Sequence, residues 1–384
     1  MNIITTTEAL KGFCAMLSKG EYMCVDTEFM RDSSFWSKLC LIQASGPNCE
    51  AIIDPLADGL DMQVFLDLMV NPDIIKVMHA ARQDMEIFFA LCGEAPAPLF
   101  DSQIAAMALG YGDSVGYMAL VKGRLGLNLD KGARFTDWSR RPLSNTQLHY
   151  ALGDVTHLRD MYAGMVVELS EKGRLKWVTE EMETLLKPDL YTYLPENAWK
   201  RLKIRSPKQD YLAALKCVAA WRETEAQSRN VPRNRIIKDD GIYDIAQNRP
   251  ATVQALGNLR GVPRGFEKSR SADKLLRALK EAVANKESYA PVVPKPKRMP
   301  PNLGPTIDML KTLLRLRCEY NDIAPRLVAN AADIEQLAAF GPKADVAALK
   351  GWRLEAYGDD ALAMLRGEIG LRLEGREVVA QALI

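Results

Sequence analysis

In the stretch MCVDTEFM, residues 23–30, two carboxylates, Asp26 and Glu28, interrupt what otherwise reads as a buried strand. Residues two apart in a strand point to the same face, so these acids project together with side-chain origins roughly 7 Å apart. Burying unpaired charge is costly. A shared cation would offset that cost, whereas an edge strand with one solvated face would account for the pair without any cation. Further acids follow at suggestive places: Asp84 near the start of a helix after IIKVMHA, Asp101 where a strand meets a helix, and Asp154 on a long helix. Hard divalent cations such as Mg²⁺ take carboxylate oxygens and water, and paired ions stabilise the attacking and leaving oxygens of phosphodiester cleavage. Taken singly, each acid could equally be a surface charge, and Asp101 a helix cap.

The motif HYALGDV, residues 149–155, adds a second kind of group. Tyr150 and Asp154 are four residues apart and stack on one helix face, whereas His149 is five from Asp154 and points partly aside. A phenol beside a metal site could orient a water for attack. The chain's three histidines, His79, His149 and His157, have no partners at metal-ligand spacing and make a poor zinc site.

The elements that would hold these residues follow a readable order. EYMCVDTEFM, KLCLIQAS and CEAIIDP are short β-rich runs, as in a three-stranded meander. MQVFLDLMVN reads as a helix, IIKVMHA as a strand, RQDMEIFFALCG as a helix stopped by Gly93, and PAPLFDSQIAAMALG as a brief strand running into a helix. A long helix then opens at Ser144, a plausible N-cap with Gln147 three residues on, and ends near residue 172. Beyond about residue 205 the pattern is helix, turn, helix, without a convincing strand. Six prolines within ESYAPVVPKPKRMPPNLGP mark a linker, and a second small helical module is expected from residue 306 to the end.

At 384 residues, 48% hydrophobic and 26% charged, the chain has the length of two or three domains and a globular composition. No run approaches the ~18 apolar residues of a membrane span, and no secretory leader pattern opens the sequence. Seven scattered cysteines without a CxxC pair suggest reduced thiols and a cytoplasmic location. The net charge of +1 hides an asymmetry. Residues 1–200 hold 18 Lys and Arg against 27 Asp and Glu, a net of −9, while residues 201–300 hold 22 against 10, a net of +12. So basic a segment suits a polyanion such as nucleic acid, or forms a solvated basic face.

VDTEF, HAARQD and the Tyr-x-x-x-Asp of YALGD resemble the three exonuclease motifs of the DEDD superfamily, whose fold is ribonuclease H-like. More narrowly, FMRDSSFWSKLCLIQAS and DWSRRPLSNTQLHYALGDV resemble the ribonuclease D family of 3′-to-5′ exoribonucleases, in the tyrosine subclass. YLAALKCVAAWRETEAQSRNVPRNRIIKDDGIYDIAQNRP is similar to an HRDC module, a nucleic-acid-binding unit, and LRLRCEYNDIAPRLVANAADIEQLA to a diverged second one. The resemblance implies a multidomain protein: an α/β exonuclease domain over residues 1–200, a first all-α HRDC domain over 205–287, a proline-rich linker over 288–305 and a second HRDC-like domain over 306–384.

It also implies that Asp26, Glu28, Asp84 and Asp154 hold two Mg²⁺ or Mn²⁺ ions, with Asp26 as the bridge, and that Tyr150 positions the attacking water. A sister subclass uses a histidine at the spacing His149 occupies, so the two residues compete for that role. Expected products are nucleoside 5′-monophosphates, and expected substrates are 3′-extended RNAs, above all tRNA precursors, degraded by a monomer without membrane association. Substrate contacts are expected from Phe29, Lys131, Arg134, Trp138 and Arg141, although loop-bracing ion pairs and Trp burial would explain the same cluster. Phe35 and Trp36 either wedge terminal bases or pack in a hairpin. The rival readings are a DNA-directed exonuclease with the same acids and a non-catalytic RNA-binding scaffold.

Overall fold

The computed structural model describes residues 2–383 apart from 131, 133–135 and 295–297. The chain divides into two units, one of residues 1–28, 41–188 and 297–384, the other of residues 29–40 and 189–296.

The first unit is built on a six-stranded sheet of β1 (Ile3–Ile4), β2 (Tyr22–Met30), β3 (Lys38–Gly46), β4 (Cys49–Ile53), β5 (Ile75–Met78) and β6 (Leu99–Asp101), in the order β1-β4-β3-β2-β5-β6. β3 is antiparallel to β4, while β1 pairs parallel with β4, β5 with β2, and β6 with β5. The expected meander is therefore present, and β3, buried from Cys40 through Gly46, runs through the centre of the sheet. The two-residue β1 was beyond the reach of any periodicity argument.

Helices α1 (Thr7–Leu17), α2 (Gln63–Met69), α3 (Arg82–Cys92), α4 (Ser102–Ala108), α5 (Tyr117–Leu125), α6 (Asn145–Glu171) and α7 (Leu175–Leu185) pack around it. α3 ends at Gly93, whose φ of +80° supplies the left-handed residue that commonly closes a helix. α6 begins with a full capping box: the Ser144 hydroxyl accepts from Gln147 N, and the Gln147 side chain accepts from Ser144 N. Its face toward the sheet buries Leu148, Ala151, Val155 and Leu158, and Ser45 Oγ on β3 donates to Val155 O at 3.0 Å. That bond fixes the height of α6 against the strands.

In the second unit, α8 (Gln209–Ser228), α9 (Arg233–Ile236), α10 (Asp239–Asn248), α11 (Val253–Gly257), α12 (Arg270–Ala284) and α13 (Lys286–Tyr289) surround a core that includes Leu215, Val218, Ile242, Ile245, Leu275 and Leu279. Phe35 belongs to this core, and both Phe35 N and Trp36 N donate to Asn230 Oδ1, at 3.1 and 3.0 Å. Segment 29–40 thus folds with the helices, whereas the sequence had placed it inside the exonuclease domain. Arg233 stacks over Phe35 at 4.4 Å and binds Glu223 through two 2.6 Å bonds.

The C-terminal helices α14 (Gly304–Asn321), α15 (Pro325–Val328), α16 (Ala331–Phe340), α17 (Gly351–Arg353) and α18 (Asp359–Leu365) fall in the first unit. Leu310, Leu313 and Leu314 of α14 share one hydrophobic cluster with Ala105 and Ala106 of α4 and with Val178 and Met182 of α7. Ala324 N donates to Met107 O at 2.9 Å, and the Trp177 and Trp352 rings stack 4.4 Å apart.

The expectation of an all-α ending requires correction. The chain closes with an antiparallel hairpin, β7 (Ile369–Glu374) and β8 (Glu377–Ala382), joined at Gly375–Arg376 with Gly375 at φ +64°. The alternation of Ile369, Leu371 and Leu373 carried the signal, and a two-residue glycine turn is its usual partner. Among the described residues, no helix is long and apolar enough to cross a membrane. All seven cysteines are free.

Candidate active site

β2 delivers Asp26 and Glu28 on one face, and α6 delivers Asp154. One carboxylate oxygen from each of the three lies within 4.8 Å of the others. Oxygens bound to a single Mg²⁺ are at most ~4.2 Å apart, so a cation fits this group with slight side-chain adjustment. All-oxygen, acidic donors are the set a hard divalent ion takes.

Asp84 sits in the first turn of α3, 8% exposed, outside that trio. Its Oδ1 accepts a hydrogen bond from the Thr27 hydroxyl, and Thr27 lies between the two acids of β2. Strand alternation turns Thr27 away from Asp26 and Glu28, so Asp84 is gripped from the opposite side of the pleat. Its charge is nonetheless felt at Asp26.

The electrostatics are those of crowded, mutually repelling carboxylates, an environment that suits a cation. Burial pushes the Asp26 carboxyl well above the usual carboxylate range, and Asp154, Asp84 and Glu28 push it further, against the opposing Thr27 backbone N–H. Burial likewise pushes Asp84 up to about 6, although the Thr27 hydroxyl opposes the rise. A positive ion among the acids would reverse both shifts.

Tyr150 lies one helical turn before Asp154, half-buried, its ring 6.1 Å from that of Trp138. His149 is exposed, and its Nδ1 is 2.7 Å from Asn145 O of its own helix. Of the two, Tyr150 is the more enclosed, and His149 turns to its own helix and to solvent.

Asp101 is the helix cap that the sequence allowed: it is buried, and Oδ1 accepts from Gln103 N at 2.8 Å. The substrate contacts need revision. Arg141 forms a two-bond pair with Asp54, both bonds 2.6 Å, and also donates to Trp138 O, while Trp138 is only 2% exposed. A buried indole cannot stack a base, and a guanidinium engaged in this way braces its loop instead of a phosphate. Lys131 and Arg134 lie outside the described residues. Phe29 is half-buried and Phe35 buried in the helical unit, which leaves Trp36, 37% exposed, as the ring of that segment open to solvent.

Sequence reasoning missed Thr27 and Tyr117. Tyr117 Oη donates to Gly153 O at 3.0 Å, next to Asp154, and burial together with Asp154 and Asp26 raises the phenol's pKa. Neither has a local pattern that announces its partner. In the helical unit a cavity of about 390 Å³ is lined by Arg31, Arg201, Arg222 and Arg233. Glu223 pairs Arg233 and Arg201, at 2.6 and 2.8 Å, and Asp239 pairs Arg222 at 2.6 Å, so these two acids offset half of the charge of the four arginines.

Comparison with known proteins fits this geometry. A family model described as 3′-5′ exonuclease matches residues 1–170, and an HRDC domain model matches residues 212–279. Ribonuclease D of Nitrobacter hamburgensis is 47% identical over 379 residues, covering 99% of both chains. Ribonuclease D of Sphingobium indicum is 46% identical over 381 residues, covering 97% of this chain and 96% of its own. Among solved structures, Escherichia coli RNase D, described as an exoribonuclease involved in structured RNA processing, matches with a TM-score of 0.80 at 29% identity, over 96% of this chain and 99% of that one.

Proposed function

The chain belongs to the ribonuclease D family and is a metal-dependent 3′-to-5′ exoribonuclease; from that premise we propose that Asp26, Glu28, Asp84 and Asp154 hold two Mg²⁺ or Mn²⁺ ions for terminal phosphodiester hydrolysis. Held there, such ions would supply Lewis-acid stabilisation of the attacking and leaving oxygens. Asp26, Glu28 and Asp154 present the shared oxygen donors, and Asp84, held by Thr27, contributes from the far side directly or through water. The Tyr150 phenol orients the attacking water, and the products are nucleoside 5′-monophosphates.

The observation carrying this reading is the meeting of Asp26, Glu28 and Asp154 oxygens within 4.8 Å from two separate elements. The substrates on this reading are 3′-extended structured RNAs, above all tRNA precursors, processed by a cytoplasmic monomer. Support comes from the part the E. coli relative plays in structured RNA processing and from the net +12 of residues 201–300, which offsets the repulsion of RNA by an acidic catalytic segment. Residues 205–287 act here as an RNA-capturing HRDC domain, and residues 306–384 as a diverged second one.

A 3′-extended tRNA incubated with Mg²⁺, with EDTA, and with the Asp26→Asn variant tests the proposal. Stepwise shortening with 5′-monophosphate release is expected in the first reaction alone. Faster digestion of a matched DNA strand, or RNA binding without shortening, would overturn it.

A further inference from the structure

We propose that the junction of β6 and α4 is a positioning brace for the metal-binding acids, in which Asp101 sets the start of α3 beneath Asp84 and Ser102 acts through His79 and Tyr117 on the turn of α6 that carries Asp154. The inference rests on the assignment of Asp84 and Asp154 as metal ligands made above.

An ordinary N-cap needs one side-chain oxygen directed at its own helix. Asp101 does more. Besides Gln103 N, its Oδ1 accepts from Ala80 N at 3.0 Å and its Oδ2 from Ala81 N at 2.9 Å, with the residue only 3% exposed. Ala81 is the N-cap of α3 and offers no side-chain cap of its own, so α3 is capped by a carboxylate from the neighbouring strand. Ala80 has φ +54°, a left-handed conformation unusual for a residue with a Cβ. Such a backbone persists where its surroundings over-determine it, and here the determining group is the Asp101 carboxylate. Asp84, three residues beyond the cap, takes its position from that turn.

The next residue reaches the other acid. Ser102 Oγ is 2.9 Å from His79 Nδ1, the His79 ring meets Tyr117 edge to face at 5.4 Å, and Tyr117 Oη bonds Gly153 O. Adjacent residues of one tight junction therefore reach, by separate routes, two helices that each bear a metal acid. A displacement of either helix by a fraction of an ångström would alter the metal site, as loss of outer partners commonly does.

The test is Mn²⁺ binding to the full-length protein without RNA, followed by electron paramagnetic resonance, alongside turnover of a 3′-extended RNA. In Asp101→Asn one acceptor becomes an amide facing a backbone N–H, and Mn²⁺ affinity should fall about tenfold with kcat down 10- to 100-fold and KM for RNA nearly unchanged. Tyr117→Phe removes a single hydroxyl and should lower the same two quantities about threefold; it decides the matter if Asp101→Asn does not fold. Wild-type Mn²⁺ affinity in both variants, with only the melting temperature lowered, would reduce the junction to ordinary scaffolding. Asp84→Asn in the same titration separates the two levels: if it binds Mn²⁺ like wild type, the ligand assignment fails, and if it alone is weakened, the brace fails.

Discussion

Asp26 and Glu28 were legible as a pair because strand alternation is a strict geometric rule, and two acids at i and i+2 among apolar neighbours violate the usual burial pattern. What held Asp84 was not legible. Its Thr27 partner is 57 residues away, and a hydroxyl carries no sequence mark of its acceptor. The cost of gathering these acids yields a prediction with a definite sign. The Asp84 carboxyl is raised to about 6 from an ordinary 3.8, so across that interval the folded state binds more protons than the unfolded one. Stability of the metal-free protein therefore falls as pH rises through this window, and Asp26 acts in the same direction. Replacing Asp26 by Asn should raise the melting temperature of the EDTA-treated protein at pH 7 by ~2–4 °C, about 1 kcal/mol, while reducing turnover at least ~10³-fold. Calorimetry in EDTA reads the first effect, and a variant less stable than wild type would contradict it. Tyr150→Phe should likewise lower kcat by about 10² or more with RNA binding intact, whereas His149→Ala leaves kcat within about twofold, because His149 is exposed and engaged with its own helix. The reverse pattern would hand the water-positioning role to His149.

At the scale of elements, legibility followed the strength of local signals. The start of α6 was written in Ser144 and Gln147 and the end of α3 in Gly93, because caps and left-handed closures depend on residues within one turn. Segment 29–40 failed for the opposite reason: its anchor is Asn230, 195 residues from Phe35, and apolar residues do not state which core they enter. The β7–β8 hairpin was missed because six-residue alternation is faint beside the helical pattern around it. The capping box offers a clean test. Ser144→Ala removes the acceptor for Gln147 N and should cost about 1 kcal/mol, seen as a lower denaturant midpoint with unchanged slope. Tyr150 and Asp154 lie more than a turn inside α6, so kcat in the folded variant should stay within about twofold of wild type. A large kcat loss would mean that the first turn of α6 moves as one body with the acids.

For the whole molecule, the larger surprise is that the C-terminal helices share a core with the catalytic sheet's helices, although a proline-rich segment separates them in sequence. Arg174 shows how closely they are joined. Its guanidinium donates to the carbonyl of Ala108, the last residue of α4, and to Asn321 O and Asp322 O at the end of α14. One cation thus serves the exposed carbonyls of two helix C-termini, where the helix dipole also favours positive charge. A sequence reading treats the proline-rich segment as a boundary, because composition reports stiffness and not what the flanking apolar faces find to pack on. If the first unit is one cooperative structure, the amides of α14 should exchange hydrogen with the same opening free energy as those of β3, near the global value. Arg174→Ala should lower both together by about 2 kcal/mol, the scale of hydrogen bonds to a charged group, and it should leave the amides of α8 unaffected. Exchange of α14 at a distinctly lower free energy than β3 would show instead that the C-terminal helices open on their own while the catalytic sheet stays closed.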